Sequence, residues 1–126
     1  MAKKKKPVKP KKITKKKIAS MARTQKRKAW KDVAEQVKLR DGNVCVICKQ
    51  PHDKLNVHHL LPREIKTYWL EPMNLISLCP RHHKFSFVES FHRNPLWACL
   101  WLQKNRPEQW EWVLKVLTSD PPVTGT

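Results

Sequence analysis

Four residues with metal-ligating side chains are arranged as two short-spaced pairs. The first pair is Cys45-x2-Cys48, and the second, about thirty residues later, is Cys79-x2-His82. Each pair closes one loop, and four thiolate or imidazole ligands match the tetrahedral coordination of zinc. Because four protein ligands leave no position for water, the pattern predicts a structural zinc that helps a small domain to fold.

A second set of chemically capable residues lies beside these ligands: His58, His59, Asn74 and His83. Neighbouring side chains on a helix point about 100° apart, so His82 can face the zinc while His83 faces a separate cleft. If His58 and His83 bind a divalent cation, its open positions can take water and phosphate oxygens. His59, neutral near pH 7, can then accept a proton from the attacking water, and Asn74 can hold a loop or orient an imidazole.

Short elements are predicted to position these residues. Their predicted order is a helix over 29–37, a turn at 41–43, strands over 55–61 and 74–78 with a loop at 63–73 between them, and a helix over 81–93. Neighbouring side chains on a strand face opposite sides. His58 and His59 can therefore serve one cleft only if the strand bends or ends at His59; otherwise one is exposed and the other is a hydrogen-bonded core residue.

Three segments of the chain resemble HNH endonucleases of the zinc-bearing type. RDGNVCVIC is similar to the opening of that family's motif, VHHLLP to its first-histidine strand, and NLISLCPRHHK to its segment from the asparagine to the last histidine. The resemblance covers about residues 39–85, roughly a third of the chain. It implies an α+β fold, namely a small ββα-metal (HNH/His-Me finger) domain with a structural zinc, flanking helices and a disordered basic N-terminal tail.

The resemblance also implies an activity, the hydrolysis of phosphodiester bonds in DNA. In that reading His59 is the general base, and His58 and His83 bind the catalytic cation, which is Mg²⁺, Mn²⁺ or Ni²⁺. Asn74 holds the loop or the base. Two positions depart from the family pattern: His58 stands where Asp is frequent, which shifts metal preference toward softer ions, and His82 stands where Cys is frequent. The second departure leaves open an exchange of roles between His82 and His83, and we assign His83 to the cleft because it occupies the family's last-histidine position.

The basic residues are concentrated at the N-terminus. Residues 1–28 carry fourteen basic side chains and no acidic one, whereas residues 29–126 carry thirteen basic and ten acidic side chains, so the tail supplies most of the formal net charge of +17. A lysine block that contains Pro7 and Pro10 is predicted to be disordered. It suits a polyanion, because each neutralised phosphate releases counterions. The alternatives are a solubilising or localising tail and a nuclear import signal.

A membrane is the weaker partner, because the lysine run lacks the apolar face of an interfacial helix. The sequence contains no apolar run long enough to span a bilayer, and Met1 leads directly into lysines without the apolar core of a secretory signal. We therefore expect an intracellular protein, cytoplasmic or nuclear.

The predicted organisation has four parts: a tail over 1–28, an HNH domain over 29–93, a tryptophan-rich helical segment over 94–118 and a frayed end over 119–126. Two helices are predicted to begin at Asn94-Pro95 and at Asn105-Arg106-Pro107. Their expected apolar faces are Leu96, Trp97, Leu100 and Trp101 in the first helix, and Trp110, Val113, Leu114 and Leu117 in the second.

The remaining reactive side chains receive simpler predictions. Cys99 is expected to be a buried thiol, His52 a surface residue rather than a metal ligand, and His92 a brace for the tryptophan-rich helices rather than a cleft residue. Four basic residues flank the proposed cleft and are candidate phosphate contacts, with ordinary surface charge as the alternative: Arg63, Lys66, Arg81 and Lys84.

The leading hypothesis is therefore a metal-dependent DNA endonuclease that nicks one strand. The alternatives are a non-catalytic zinc-stabilised module that binds nucleic acid, and a basic RNA- or ribosome-associated protein. A purely structural zinc needs none of His58, His59, Asn74 and His83, so the full set favours the nuclease. The sequence predicts neither the preferred DNA nor the oligomeric state.

Overall fold

The computed structural model describes Lys16 and residues 21–119. Within that part of the chain the elements are helix α1 (Arg23–Arg40), strands β1 (Asn56–His59) and β2 (Leu75–Leu78), and helices α2 (Pro95–Asn105) and α3 (Pro107–Leu117). Three short helical turns connect them, at Lys66–Tyr68, Pro72–Asn74 and Arg81–Phe85, the last of which has the wide π-type geometry. The predicted α+β class is confirmed at this level: a small structure with a two-stranded antiparallel sheet and packed helices.

The sheet has one buried strand and one strand at the margin of the cleft. All four residues of β2 are buried, whereas β1 is partly exposed along its whole length. In the antiparallel register His58 lies opposite Ile76 and His59 lies opposite Leu75. Leu75 packs with Val33 and Val37 of α1, while Ile76 belongs to a core cluster that includes Ala98 and Leu102 of α2. The sheet is therefore covered by α1 on one face and by α2 on the other.

Helix α1 begins earlier than its apolar pattern predicts, at Arg23 rather than at Ala29. Its first turns are rich in Lys, Arg and Gln, which are good helix formers even when they bury little, and the Gln25 side chain accepts a hydrogen bond from the Ala22 N–H at 3.0 Å. Residues 23–28 thus belong to α1 and not to the predicted disordered tail. The rest of that tail, apart from Lys16, Met21 and Ala22, lies outside the described residues.

The turn predicted after α1 is confirmed. Gly42 and Asn43 both have left-handed backbone conformations, with φ of +77° and +57°, which Gly and Asn adopt at low cost. Asp41 caps the end of α1 and points its fully buried carboxylate inward. That carboxylate accepts hydrogen bonds from Arg40 and Arg106 and from the backbone N–H of Ser77. One side chain thereby joins α1, β2 and the start of α3.

The segment over 81–93 was predicted to be one helix, and that prediction is wrong beyond Phe85. Ser86 is extended, with ψ of 134°, and the chain then forms an irregular loop to α2. Two serines stabilise the loop with local hydrogen bonds: the Ser86 Oγ accepts from the Glu89 N–H at 3.0 Å, and the Ser90 Oγ donates to the Ser86 carbonyl at 2.6 Å. Such side-chain bonds compete with helix formation. The strands predicted over 55–61 and 74–78 are also longer than the observed strands β1 and β2.

Helices α2 and α3 start where their prolines predict, but only part of each predicted apolar face packs inward. Trp97 and Trp101 of α2 and Trp110 of α3 pack against the core, as predicted. In α2, Leu96 and Leu100 are 80% and 67% exposed, while Ala98 and Leu102 are buried. In α3, Leu114 and Leu117 are exposed, and Val113 and Val116 are buried together with Gln109. Both helices have apolar residues on more than one side, so their spacing allowed two orientations.

Gln109 explains the orientation of α3, and the position of Cys99 follows from the orientation of α2. Gln109 is buried because its amide donates to the carbonyls of Met73 and Leu75, at 3.1 and 3.0 Å, which fixes the rotation of α3. Cys99 is exposed, so the prediction of a buried thiol is wrong; it follows the outward orientation of Leu96 and Leu100. No helix within the described ranges is both long enough and apolar enough to cross a membrane.

Candidate metal sites and the histidine cleft

Three cysteines and one histidine form a tight cluster. The ligand atoms of Cys45, Cys48, Cys79 and His82 all lie within 4.8 Å of one another. In a tetrahedral zinc site with Zn–S bonds of about 2.3 Å, the ligand sulfurs lie about 3.8 Å apart, so the cluster has a suitable size. The Cys₃His set is compatible with a structural zinc, as the two sequence pairs predict.

The orientation of His82 fits a metal ligand. Its Nδ1 faces the sulfurs of Cys79 and Cys45, at 3.2 and 3.7 Å, and its Nε2 lies 3.9 Å from a carboxylate oxygen of Glu89. Metal-binding imidazoles commonly have a carboxylate on the side of the far nitrogen, and Glu89 lies on that side at ion-pair rather than hydrogen-bond distance. His52, at the surface as predicted, places its Nε2 3.2 Å from the Cys48 sulfur, where it can donate a hydrogen bond to that ligand.

The cysteines differ in how readily they ionise. Burial by itself raises the pKa of Cys45, but hydrogen bonds from the backbone of Cys48, Cys79 and Ile47 outweigh it, so the pKa lies below its ordinary value. Burial, followed by the neighbouring Cys45, raises the pKa of Cys79 to about 11. A metal bound to this cluster must therefore displace a proton from Cys79, which couples binding to proton release.

A second cluster consists of three imidazoles. His58, His83 and His92 place their nearest ring nitrogens within 4.8 Å of one another, and the Nε2 atoms of His83 and His92 are 3.1 Å apart. His58 comes from β1, His83 from the Arg81–Phe85 turn and His92 from the loop before α2. The His58 ring also packs edge-on against Phe91 at 5.3 Å between centroids, which supports it from the core side.

These imidazoles are held in the form that can ligate a metal. Burial, followed by the neighbouring His83 and His92, lowers the pKa of His58 to about 3. Burial and the neighbouring His92 lower the pKa of His83 to about 4, and burial together with Lys84 lowers the pKa of His92. All three rings are therefore neutral near pH 7, and neutral imidazole is the ligand form.

His59 has a separate environment. Its Nε2 lies 3.1 Å from the carbonyl oxygen of Trp69; because a carbonyl only accepts, Nε2 carries the hydrogen and Nδ1 keeps a free lone pair. The ring stacks on Trp30 of α1, with centroids 4.9 Å apart and planes 17° apart, and Trp30 in turn stacks on Trp69 at 5.8 Å. Burial lowers the pKa of His59 more than the Trp69 hydrogen bond raises it.

The two adjacent histidines of β1 face opposite sides of the sheet and still reach one cleft. His58 shares the α2 side with Ile76 and His59 shares the α1 side with Leu75. Strand β1 ends at His59, as one shared cleft requires, and the cleft wraps around this strand end. It has a volume of about 260 Å³ and is lined by Trp30, Val57, His58, His59, Arg63, Trp69, His83, Lys84 and His92.

Asn74 is buried beneath the cleft rather than inside it. Its Oδ1 accepts from the Leu61 N–H at 2.7 Å, and its Nδ2 donates to the Tyr68 carbonyl at 3.0 Å. The side chain therefore ties together both arms of the loop between β1 and β2, next to the Trp69 carbonyl that binds His59. Of the two roles considered for Asn74, these contacts are those of a residue that holds the loop.

The four basic candidates are placed unequally. Arg63 and Lys84 line the cleft. Arg81 is exposed on a neighbouring groove, together with Phe85 and Phe87, and Lys66 is exposed in the turn that precedes Trp69. Only Arg63 and Lys84 are therefore cleft residues.

Sequence reasoning missed three cleft residues, which are His92, Trp30 and Trp69. His92 was expected to brace the helices, but the loop returns it to the cleft through a hydrogen bond from its N–H to the His83 carbonyl at 3.1 Å. The signal in the sequence was the pair Ser86 and Ser90, whose side chains can form the local hydrogen bonds of a loop instead of a helix. Trp30 carried no signal besides its place on the apolar face of α1.

Comparison of the chain with protein-family models, with curated proteins and with solved structures finds no match. The chemistry of the two clusters therefore follows from their own residues.

Proposed function

We propose that the chain is a metal-dependent endonuclease of the HNH type that nicks DNA. In this proposal β1, β2 and the Arg81–Phe85 turn form the ββα-metal unit. The observation that carries it is the cleft itself: a histidine with one free nitrogen, His59, lines the same 260 Å³ space as the three-imidazole cluster.

His59 is assigned as the general base. Its Nε2 is occupied by the Trp69 carbonyl, so Nδ1 is the atom that takes the proton from an attacking water. Stacking on Trp30 fixes the ring plane, which a positioned base requires. The lowered pKa keeps this nitrogen unprotonated near pH 7.

His58, His83 and His92 are assigned as ligands of one divalent cation. Three neutral imidazoles on one side leave positions open for water and phosphate oxygens. When bound, the cation supplies electrostatic stabilisation of the charge that develops on the phosphate and the leaving oxygen. An all-imidazole set suits Ni²⁺ better than Mg²⁺ or Mn²⁺, which prefer oxygen ligands.

Two basic side chains and the Cys₃His cluster have supporting roles in this proposal. Arg63 and Lys84 lie where they can contact the phosphates of a bound strand. Cys45, Cys48, Cys79 and His82 would hold the structural zinc, and a zinc bound there would tie the Cys45–Cys48 loop to the turn that carries His83.

The test is a plasmid nicking assay on the zinc-loaded protein, after chelation of loosely bound metal and addition of Mg²⁺, Mn²⁺ or Ni²⁺. We expect the wild type to nick, and His59→Ala to lose about a hundredfold or more of the rate, the usual contribution of a general base. Zinc content and DNA affinity should not change. Gln103→Ala is the control, because it removes an exposed polar side chain of α2 that lies outside both the cleft and the Cys₃His cluster.

Equal nicking by His59→Ala and the wild type would exclude His59 as the base. If neither protein nicks with any of the three metals while both bind DNA, the alternative function gains support, namely a non-catalytic zinc-stabilised module that binds nucleic acid.

A further inference from the structure

The loop between the two cleft histidines, His83 and His92, exposes three apolar side chains. Phe85, Phe87 and Val88 are 66%, 77% and 63% exposed. Isolated surface apolar residues are ordinary, but large ones grouped together mark interaction sites. We call the Phe85–Val88 segment the aromatic loop.

The aromatic loop is held in place at both ends. Backbone hydrogen bonds join the Phe91 N–H to the His82 carbonyl at 2.9 Å and the His92 N–H to the His83 carbonyl at 3.1 Å. The Asn94 side chain also donates to the Val88 carbonyl at 3.0 Å. Because these bonds do not involve the phenylalanine side chains, the loop presents the rings outward without needing them for its own structure.

Positive charge surrounds the exposed rings. The Arg93 guanidinium carbon lies 4.5 Å from the centre of the Phe87 ring, and the Arg93 Nε donates to the Lys84 carbonyl at 2.8 Å. A groove of about 430 Å³ runs along the loop and is lined also by Arg81. The segment over 81–93 therefore contains three basic side chains, Arg81, Lys84 and Arg93, and one acidic side chain, Glu89.

Rings flanked by arginine and lysine fit a nucleic acid whose bases are accessible. Aromatic side chains stack on unpaired bases, while the basic side chains contact the backbone. In a continuous duplex the base faces are covered, and inserting a side chain costs a few kcal/mol of unstacking. Bases that are already unpaired avoid most of that cost.

We propose that the aromatic loop contacts exposed bases next to the cleft, so that the preferred substrate is DNA with unpaired or unstacked bases. This inference rests on the proposed function, because it names the substrate class of the same cleft. A lipid surface or a partner protein is the competing occupant, and the basic side chains beside the histidine cleft favour DNA.

The test measures binding of the full, zinc-loaded chain by fluorescence anisotropy without added divalent cation. The probes are a labelled duplex and the same sequence with a central unpaired bubble. We expect the wild type to prefer the bubble, and Phe85→Ser/Phe87→Ser to lose roughly five- to hundredfold of its affinity for the bubble. The duplex affinity and the salt dependence should change little, because no charge is removed.

Two control variants keep the result interpretable. Leu96→Ser/Leu100→Ser removes two equally exposed apolar side chains from α2 and should bind both probes like the wild type. Phe85→Tyr/Phe87→Tyr keeps the rings and should retain the preference for the bubble. Zinc content and circular dichroism verify that each variant is folded.

The same variants are also tested for binding to vesicles that contain phosphatidylserine. Three outcomes would overturn the inference: unchanged DNA binding by the serine variant, an equal loss on both DNA probes, or a loss of vesicle binding with DNA binding unchanged. The nuclease proposal is scored separately by nicking. A bubble preference lost in the serine variant, without nicking by the wild type, would support the aromatic loop and refute the nuclease. Nicking by the wild type, together with unchanged binding by the serine variant, would support the nuclease and refute the role of the aromatic loop.

Discussion

In each of the two pairs of consecutive histidines, the two side chains lie in different environments. His82 belongs to the Cys₃His cluster and His83 to the imidazole cluster. His58 faces that same imidazole cluster while His59 stacks on Trp30. In each case the backbone explains the division, because the wide turn separates one pair and the strand geometry separates the other.

His92 tests the three-imidazole assignment. In the zinc-loaded protein, His92→Ala should weaken Ni²⁺ binding at the cleft at least about tenfold, since loss of even an outer-shell partner costs that much. Isothermal titration with Ni²⁺ measures the change, and the zinc content of the Cys₃His cluster should stay the same.

The control for His92→Ala is Gln103→Ala, which removes an exposed polar side chain of α2 that belongs to neither candidate metal site. It should leave Ni²⁺ binding intact. An unchanged Ni²⁺ affinity in His92→Ala would restrict the ligands to His58 and His83.

At the scale of the elements, a single carboxylate joins three of them. Asp41 ends α1, accepts from the backbone of β2 at Ser77 and binds Arg106 at the start of α3. Arg40 reinforces the same junction by donating to the carbonyls of Pro72 and Leu75, both at 2.7 Å. The loop that carries Asn74 and Trp69 is thereby fixed to the end of α1.

Asp41→Asn should lower the free energy of unfolding by about 2–4 kcal/mol, somewhat less than the roughly 3–5 kcal/mol for breaking a fully buried ion pair, because Arg40 and Arg106 are 32% and 24% exposed. Burial by itself raises the pKa of Asp41, but hydrogen bonds and charge from Arg40 and Arg106 outweigh it, so the pKa lies below 3.8. A carboxyl with a lowered pKa stabilises the fold above its unfolded pKa and loses that contribution only as the pH falls through the folded value.

The difference between wild type and Asp41→Asn should therefore be constant from pH 7 down to pH 5, which urea unfolding of the zinc-loaded proteins measures. A difference that shrinks across this interval would mean that burial dominates and that the pKa of Asp41 is raised. Asp32→Asn, on the exposed face of α1, should change stability by less than about 0.5 kcal/mol at any of these pH values.

The features that could be predicted from the sequence are those in which a residue type or spacing is compatible with only one local structure. The prolines located the starts of α2 and α3, the Asp-Gly-Asn turn located the end of α1, and the ligand spacing selected Cys45, Cys48, Cys79 and His82. Sequence reasoning failed where several packings satisfy one pattern. The rotation of α3 depended on long-range bonds of Gln109, and the place of His92 depended on a loop closed by Ser86 and Ser90.

At the scale of the whole molecule, charge is divided between the N-terminal block and the rest of the chain. Residues 1–20 contain ten lysines and no acidic residue. Because α1 begins at Arg23, a deletion that stops at residue 20 removes this charge and leaves α1 whole, whereas removing residues 1–28 would cut into α1.

On the proposed function, deleting residues 1–20 should weaken DNA binding and reduce its salt dependence, because fewer counterions are released. The melting temperature should stay the same. Anisotropy at several salt concentrations and thermal unfolding measure the two effects, and a full-length chain with the ten lysines replaced by glutamine is the matched control. A sharp fall in melting temperature would make residues 1–20 part of the folded domain.

The peptide bond between His82 and His83 gives the protein a property that neither cluster has alone. The two candidate metal sites share this bond within one short turn, so any ion that orders one imidazole also reduces the freedom of the next. Binding at the two sites is then thermodynamically linked, and the linkage is reciprocal in free energy. We expect Ni²⁺ at the cleft to raise the affinity of the cysteine cluster for zinc, and zinc at the cysteines to raise the affinity of the cleft for Ni²⁺ by the same factor. Molecules that have lost the ion of the Cys₃His cluster should therefore bind a cation at the cleft more weakly.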